Sequence, residues 1–257
     1  MPVDQPALQT EASERQHREP RFSIQFDAAN QALESFSQSV SHDLRAPLRA
    51  VDSLIQILEE DYGERLGEDG CRVLNVIHDA CGTMDNLITA LLAFSQAVRQ
   101  EMDPVQLDMA ALVREAVNQV ISTCPGPAPI IAIGDLPVGI GDALLLRQVW
   151  CQLISNALKF SSKRQTPNIG IRGRIEGAEV IYLVEDNGVG FDMRYVHKLF
   201  GIFQRLHKSE DFAGTGIGLA IAKNNVARHG GRIWAEAATD DGARFQFALP
   251  LVVKVSQ

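Results

Sequence analysis

Between residues 73 and 98 the apolar side chains Val73, Ile77, Ala80, Met84, Leu87, Leu91, Phe94 and Val98 recur in alternating steps of four and three. That is the heptad rhythm of helices packed along their length, and it admits few folds other than a helical bundle. A second helical pattern precedes it, from about Asp27, an N-cap residue type, with Phe36, Val40, Leu44, Leu48, Val51, Ile55 and Leu58 on its seam. The stretch 61–69 (DYGERLGED) interrupts the two patterns with two glycines. Two helices joined by a short connection make an antiparallel hairpin. A lone hairpin cannot cover both apolar faces, so pairing with a second copy as a four-helix bundle is expected, which makes the chain a homodimer.

The hairpin does not account for the whole chain, whose 257 residues are enough for about two domains. Residues 1–26 are polar, contain Pro2, Pro6 and Pro20, and read as a linker or disordered tail. The hairpin occupies 27–101, and the composition changes near Asp103-Pro104. Over 102–257 the pattern predicts helices at 108–122, 142–160 and 216–229. Strands are predicted at 130–133, 168–175, 179–185, 231–237 and 243–250. Without strict βαβ alternation, this is an α+β domain: helices layered on one mostly antiparallel sheet.

Charge narrows the partners. The chain has 24 Lys and Arg against 32 Asp and Glu, a formal −8, which excludes nucleic-acid binding by general basicity. The acidity is uneven. Residues 1–101 hold 17 acids and 8 Lys/Arg (−9), whereas residues 102–257 hold 15 and 16 (+1). Within the second part, residues 143–175 carry six Lys/Arg and residues 194–208 carry four, with no acid in either stretch. Such stretches suit an anionic ligand. No apolar run reaches the ~18 residues of a membrane span and the start is too polar for a signal peptide, so no membrane insertion and a cytoplasmic location are expected. Cys71, Cys81, Cys124 and Cys151 lack metal-ligand spacing and read as reduced, packed thiols.

Four patches carry candidate chemistry. In Ser41-His-Asp-Leu-Arg-Ala-Pro-Leu48, His42 lies off the Val40/Leu44 seam and should face solvent. Neutral imidazole is a nucleophile near pH 7, and Pro47 inside the helix should create a kink or hinge beside it. Next, Gln148, Gln152, Asn156 and Lys159 repeat along one helical face. Their amide oxygens suit an octahedral Mg²⁺ shell completed by water and phosphate, and Lys159 suits a phosphate. A solvated stripe is the alternative for that patch taken alone. In Val184-Glu-Asp-Asn-Gly-Val-Gly190 a strand ends on Asp186, an acceptor for an exocyclic amine, followed by glycines that permit close approach. Last, Gly214-Thr-Gly-Ile-Gly-Leu219 opens a helix whose free N–H groups favour phosphate. The long segment between the last two patches reads as a lid.

Taken in order, these patches resemble the sensor histidine kinases of two-component signalling. SHDLRAPL is similar to their phosphoacceptor box, QLISNALKF to the N box, EDNGVGFD to the first glycine box, KLFGIFQRL to the phenylalanine box of the lid, and GTGIGLAIAK to the second glycine box. The likeness covers roughly residues 30–250, and its wording is closest to kinase modules of phytochrome-like receptors. It implies a dimerisation and phosphoacceptor hairpin followed by a Bergerat-type ATP-binding domain, with ATP and Mg²⁺ as ligands. It implies His42 as the phosphorylated residue, with Asp43 polarising its imidazole. Asn156, joined by Gln152, would hold Mg²⁺; Lys159 would contact phosphate, and Phe160 would lie near the nucleotide. Asp186 would take the adenine amine, while Gly188, Gly190, Gly214, Thr215, Gly216, Gly218 and Leu219 shape the lid and phosphate turn. Phe203 would anchor the lid, and Arg205 or Lys208 would neutralise the γ-phosphate. A response-regulator receiver domain is the implied acceptor, with an upstream sensor domain or a separate sensory partner as input.

Three departures from the family stand out. Ala46 replaces the Thr or Asn thought to orient water for dephosphorylation, Gln152 replaces the first Asn of the N box, and Asp240 and Gly242 replace a more usual pair of glycines. Two other readings compete with the kinase. One is a dimeric phosphotransfer scaffold with a degenerate ATP domain. The other is an ATPase of the gyrase and mismatch-repair kind, against which the SHDLRAP hairpin counts.

Overall fold

A computed structural model describes the backbone of residues 6–99, 102–122, 128–207, 211–212 and 214–251; side chains at 6–38, 40, 42, 64, 90, 91, 93, 94 and 96–99 are outside the described set. The chain divides into two compact units, residues 1–99 and 100–257.

The first unit is helical from Pro6 to Arg99 (α1), and only Gly67 leaves helical dihedrals (φ 65°, ψ −177°). Glycine tolerates that left-handed conformation, so one residue reverses the chain where a loop over 61–69 was expected. The expected linker over 1–26 is also helical from Pro6. Its Ala, Leu, Gln, Glu and Arg residues are good helix formers, and proline suits a first helical position. Pro47 is accommodated with helical dihedrals, so the expected break beside His42 is not seen in the backbone.

The arms run antiparallel. Arg45 pairs with Asp85 at 3.1 Å and donates to Thr89 at 2.8 Å, and Asp52 meets His78 at 2.8 Å. Between them Ile55, Leu74 and Cys81 are buried with Leu48 against them. The expected seam of the second arm is displaced by one residue: Leu74, Cys81 and Ile88 are buried, whereas Val73, Ile77 and Met84 are 55%, 40% and 46% exposed. On the first arm Leu48 and Ile55 turn inward, and Leu44, Val51 and Leu58 remain exposed. One hairpin therefore buries one of its two apolar stripes and leaves the other uncovered.

The second unit is a layer of helices on one five-stranded sheet. Its elements are β1 Val105–Leu107, α2 Met109–Ile121, β2 Ile130–Ile133, β3 Gly139–Gly141, α3 Ala143–Ser161, β4 Asn168–Glu176, β5 Glu179–Asp186, α4 Gly218–Arg228, β6 Arg232–Ala237 and β7 Ala243–Pro250. The sheet order is β2-β4-β5-β7-β6, antiparallel except for the parallel β2–β4 pair. β1 and β3 form a separate antiparallel pair that the sequence pattern did not reveal. Alternation along β5 and β7 turns Val180, Tyr182 and Val184 and Phe245, Phe247 and Leu249 into the core. Trp150 of α3 packs edge-on against Tyr182 and Phe247, with centroids 5.6 and 5.0 Å away.

Side chains cap α2 and α3. Asp108 accepts from the amide of Ala111 at 3.0 Å, and Asp142 from those of Leu144 and Leu145 at 3.0 Å. The start of α3 is further tied to the end of α4. The Asp142 amide donates to His229 Nε2 at 2.9 Å, and His229 Nδ1 lies 2.7 Å from the carbonyl of Asn225. A backbone N–H can only donate, so Nε2 is the acceptor and Nδ1 carries the proton of a neutral ring. Burial holds the His229 pKa below its usual 6.5.

Candidate functional site

A cavity of about 260 Å³ opens between α3, the segment 199–216 and the start of α4. The 3.6-residue period brings Gln152, Asn156 and Lys159 to its wall, with Ser155 beside them. Gln148, one turn earlier, is instead taken up between helices, where it accepts a hydrogen bond from Asn225 at 3.0 Å. Gln152 leans over Gly218 so closely that a Cβ there would come within 2.1 Å of its Oε1. Lys159 Nζ stands 4.4 Å above the Phe160 ring and faces Gly214.

The opposite wall is the start of α4. Its N-cap is Ile217, which makes no side-chain capping bond. The N-cap residue thus offers the first-turn amides no side-chain acceptor, and the helix dipole favours an anion there. Gly214, Thr215, Gly216, Gly218 and Leu219 all line the cavity.

Asp186 ends β5, next to the cavity. It belongs to an adjoining depression lined by Asn187 and Asp241, and Ala243 borders both spaces. Asp186 is 9% exposed, and its carboxylate accepts the Gly188 amide at 2.8 Å. Burial pushes its pKa up to about 6 even though the amides of Gly188 and Ala243 oppose the shift. Gly188 lies under Phe160, whose carbonyl a Cβ would meet at 2.6 Å. At Gly190 the φ is +59° and a Cβ would come within 1.9 Å of the Ala238 carbonyl oxygen, so glycine is obligatory.

The segment that closes the cavity differs in part from expectation. Phe203, the expected anchor, is 45% exposed, has φ 61° and does not line the cavity. Leu199, Phe200 and Leu206 pack against the core instead, because they fall on the inward side of the short 3-10 turn and the loop after it. Arg205 lines the cavity and donates to the carbonyl of Phe212. Lys208 lies outside the described residues. Sequence reasoning missed two side chains here, His207 and Phe212. With Phe160 they form a ring cluster with centroids 5.0 to 5.5 Å apart, and the imidazole Nε2 is 2.9 Å from the Gly190 carbonyl. Their aromatic character beside the phenylalanine box was the available signal.

His42 and Asp43 lie on the first arm of α1, in the other unit. Asp43 is exposed, and the His42 side chain lies outside the described residues.

This pairing of a helical hairpin with a helix-and-sheet cavity domain is that of the histidine kinases, and comparison with known proteins agrees. Residues 32–99 match the His Kinase A (phospho-acceptor) domain, and residues 141–253 match the Histidine kinase-, DNA gyrase B-, and HSP90-like ATPase family. The chain belongs to the histidine kinases. It is 32% identical over 225 residues to the Phytochrome-like protein Cph1 of Synechocystis sp., covering 88% of this chain and 30% of that protein. It is 33% identical over 234 residues to Cyanobacterial phytochrome B of Nostoc sp., covering 89% and 31%. The chain therefore spans about a third of the length of these relatives. Among solved structures, full-length ShkA in complex with AMPPNP superposes with a TM-score of 0.59 at 23% identity, over 84% of this chain and 46% of that one.

Proposed function

We propose that this chain is a histidine autokinase that moves the γ-phosphoryl group of Mg-ATP to His42 and then to an aspartate of a response-regulator receiver domain. The observation that carries this reading is the convergence of Gln152, Asn156 and Lys159 with the uncapped start of α4 around one cavity, beside the buried carboxylate of Asp186. That is one polar wall for phosphates and one acceptor for an amine. The ShkA structure was solved with an ATP analogue, which supports ATP as the ligand here.

The residues fit a magnesium nucleotide. Among the described residues no group of three or more His, Cys, Asp and Glu could hold a metal, so the amide oxygens of Asn156 and Gln152 are the proposed protein ligands, with phosphate oxygens and water completing the shell. Bound Mg²⁺ would neutralise charge on the β- and γ-phosphates. Lys159, Arg205 or Lys208, and the amides of Gly216 to Leu219 would hold the remaining negative charge and orient the chain of phosphates. Phe160 and the nearby rings would cover the base, and Asp186 would accept its amine. The connection expected over about 99–107, up to the point where Val105–Leu107 pair with β3, would act as the hinge that brings the γ-phosphate in line with His42.

The neutral imidazole nitrogen then attacks phosphorus as the bond to the β-γ bridging oxygen breaks and ADP leaves. The ring proton passes to Asp43 or solvent. Asp43 follows His42 directly and does not share its helix face, so its role rests on family likeness. The product is a phosphoramidate, labile enough to donate onward. The exposed stripe of Leu44, Val51, Leu58, Val73, Ile77 and Met84 supports a homodimeric four-helix bundle. No helix of the described residues is long and apolar enough to cross a membrane. A cytoplasmic location, with a sensor domain upstream or on a separate partner, completes the proposal.

Incubation with γ-labelled ATP tests the reading. Wild type should acquire acid-labile label that chases onto a receiver domain, and His42→Gln should acquire none while still binding ATP. Label persisting in His42→Gln would overturn the assignment.

A further inference from the structure

Arg164 lies in the turn that follows α3, outside every motif considered above. Its guanidinium reaches three carbonyls on two other segments. Nε donates to Asn187 O at 2.8 Å, and Nη2 donates to Gly188 O at 3.0 Å and to Asp240 O at 2.7 Å. Asn187 and Gly188 form the turn that leaves β5 immediately after Asp186. Asp240 sits between β6 and β7 with φ 63°, and its amide donates to Val189 O at 2.8 Å. One planar group thus joins the end of α3, the exit of β5 and the β6–β7 turn.

The same contacts determine where the Asp186 carboxylate points. Its Oδ1 is fixed by the Gly188 amide at 2.8 Å, and the opposite side of that residue, the Gly188 carbonyl, is fixed by Arg164. The next amide, Val189, donates to the Phe160 carbonyl at 3.2 Å, so the turn also sets the distance to the ring beside the cavity. Asn187 is pinned separately: its Oδ1 accepts from Asn168 N at 2.9 Å and its Nδ2 donates to Thr166 O at 3.0 Å. Nothing but Arg164 ties the Gly188 carbonyl among the hydrogen bonds of the described residues. Arginine suits the task because its donors have fixed, divergent directions, whereas a lysine offers one ammonium that cannot hold all three oxygens at once.

We propose that Arg164 is a positioning residue for the base end of the nucleotide site, and that it sets the preference for adenine over guanine by orienting the Asp186–Gly188 turn. The proposal rests on the ATP-binding reading given above. Adenine presents an exocyclic amine donor where guanine presents a carbonyl acceptor, so a carboxylate fixed in direction accepts from the first and repels the second. A turn freed from Arg164 lets the carboxylate swing and blurs that difference. The guanidinium bonds all lie at the base end, and Arg164 meets α3 through its backbone amide on Ser161 O at 2.8 Å, a bond that side-chain substitution retains. The phosphate end, built from α3 and α4, therefore keeps its share of binding.

Competition binding of ATP and GTP to the full chain, with tryptophan fluorescence melts alongside, tests this. Arg164→Ala should lower the ATP-over-GTP preference by about tenfold, as Asp186→Asn should, with the loss in autophosphorylation falling on KM for ATP more than on kcat. Arg164→Lys should recover part of the preference. Should Arg164→Ala fail to fold, Arg164→Lys carries the same test. An unchanged ATP-to-GTP ratio in the folded variants, or equal loss of both nucleotides in step with a lowered melting temperature, would overturn the proposal and reduce Arg164 to a structural tie. Wild type that binds neither nucleotide would overturn the ATP-binding reading itself.

Discussion

Replacing Asp186 by asparagine should make the protein more stable while removing the carboxylate proposed to read the base. Asp186 is 9% exposed, and burial raises the pKa of its carboxyl from an ordinary 3.8 to about 6. The folded state therefore holds this proton more tightly than the unfolded chain does. Between pH 3.8 and about 6 it binds the extra proton, and stability falls as the pH rises through that window. Above it the full cost of burying the charge is present, about 3 kcal/mol at 1.36 kcal/mol for each pH unit. Asparagine removes that cost, keeps an acceptor for the Gly188 amide and places an NH₂ against the Ala243 amide that the carboxylate accepted. One mismatched donor takes back about 1 kcal/mol. A net gain of about 2 kcal/mol at pH 8, shrinking toward zero or below near pH 4, is the expected outcome. The two tryptophans, Trp150 and Trp234, both lie in the ATP-binding unit, so urea titrations of the full chain followed by their fluorescence report on that unit. A variant less stable than wild type at pH 8, or a difference that does not change with pH, would refute the reasoning.

Other outcomes follow from the same geometry. Gly190→Ala should cost more than about 3 kcal/mol, since φ is +59° and the added Cβ overlaps the Ala238 carbonyl; urea titration reads this directly. His229→Ala should cost about 2 kcal/mol by orphaning the Asp142 amide and taking the ring donor from the Asn225 carbonyl, which keeps the backbone amide of residue 229. Because burial lowers the His229 pKa, its stabilising effect is present above pH 6.5 and lost as the pH falls through the folded value. The gap between wild type and variant should therefore narrow in acid. ATP affinity of the wild type, followed by competition binding, should weaken as the pH drops below about 6, where Asp186 takes up its proton. With Ala46 in place of a water-orienting side chain, ADP-independent dephosphorylation of a phosphorylated receiver domain should be slow, and a rapid rate would contradict that expectation.

The elements that bear the site were legible because their signals are local. The helix ranges 108–122 and 142–160, the strand ranges 179–185 and 243–250 and the spacing of Gln152, Asn156 and Lys159 each follow from local pattern without knowledge of neighbouring elements. β1 and β3 were not legible, being three residues long and rich in glycine or lacking alternation. The hairpin was predicted as a fold but shifted in register, since both arms carry two apolar stripes and only packing decides which turns inward. Leu74 and Cys81 are buried for that reason while Val73 and Ile77 are exposed. In the lid, three phenylalanines compete for the inward positions. Phe200 and Phe212 take them and Phe203 does not, a choice made by the backbone path after Lys198. Arg164 could not be singled out at all, because its meaning lies in carbonyl groups supplied by residues 187, 188 and 240.

The most direct test of the phosphoryl route is to locate the group on the chain. After reaction with Mg-ATP at mildly alkaline pH, mass-spectrometric mapping of the peptide spanning Ser39 to Arg49 should find phosphate on His42, absent from Asn156→Ala. Phosphate on Ser39 or Ser41 instead, or none on this peptide while ATP is consumed, would contradict it.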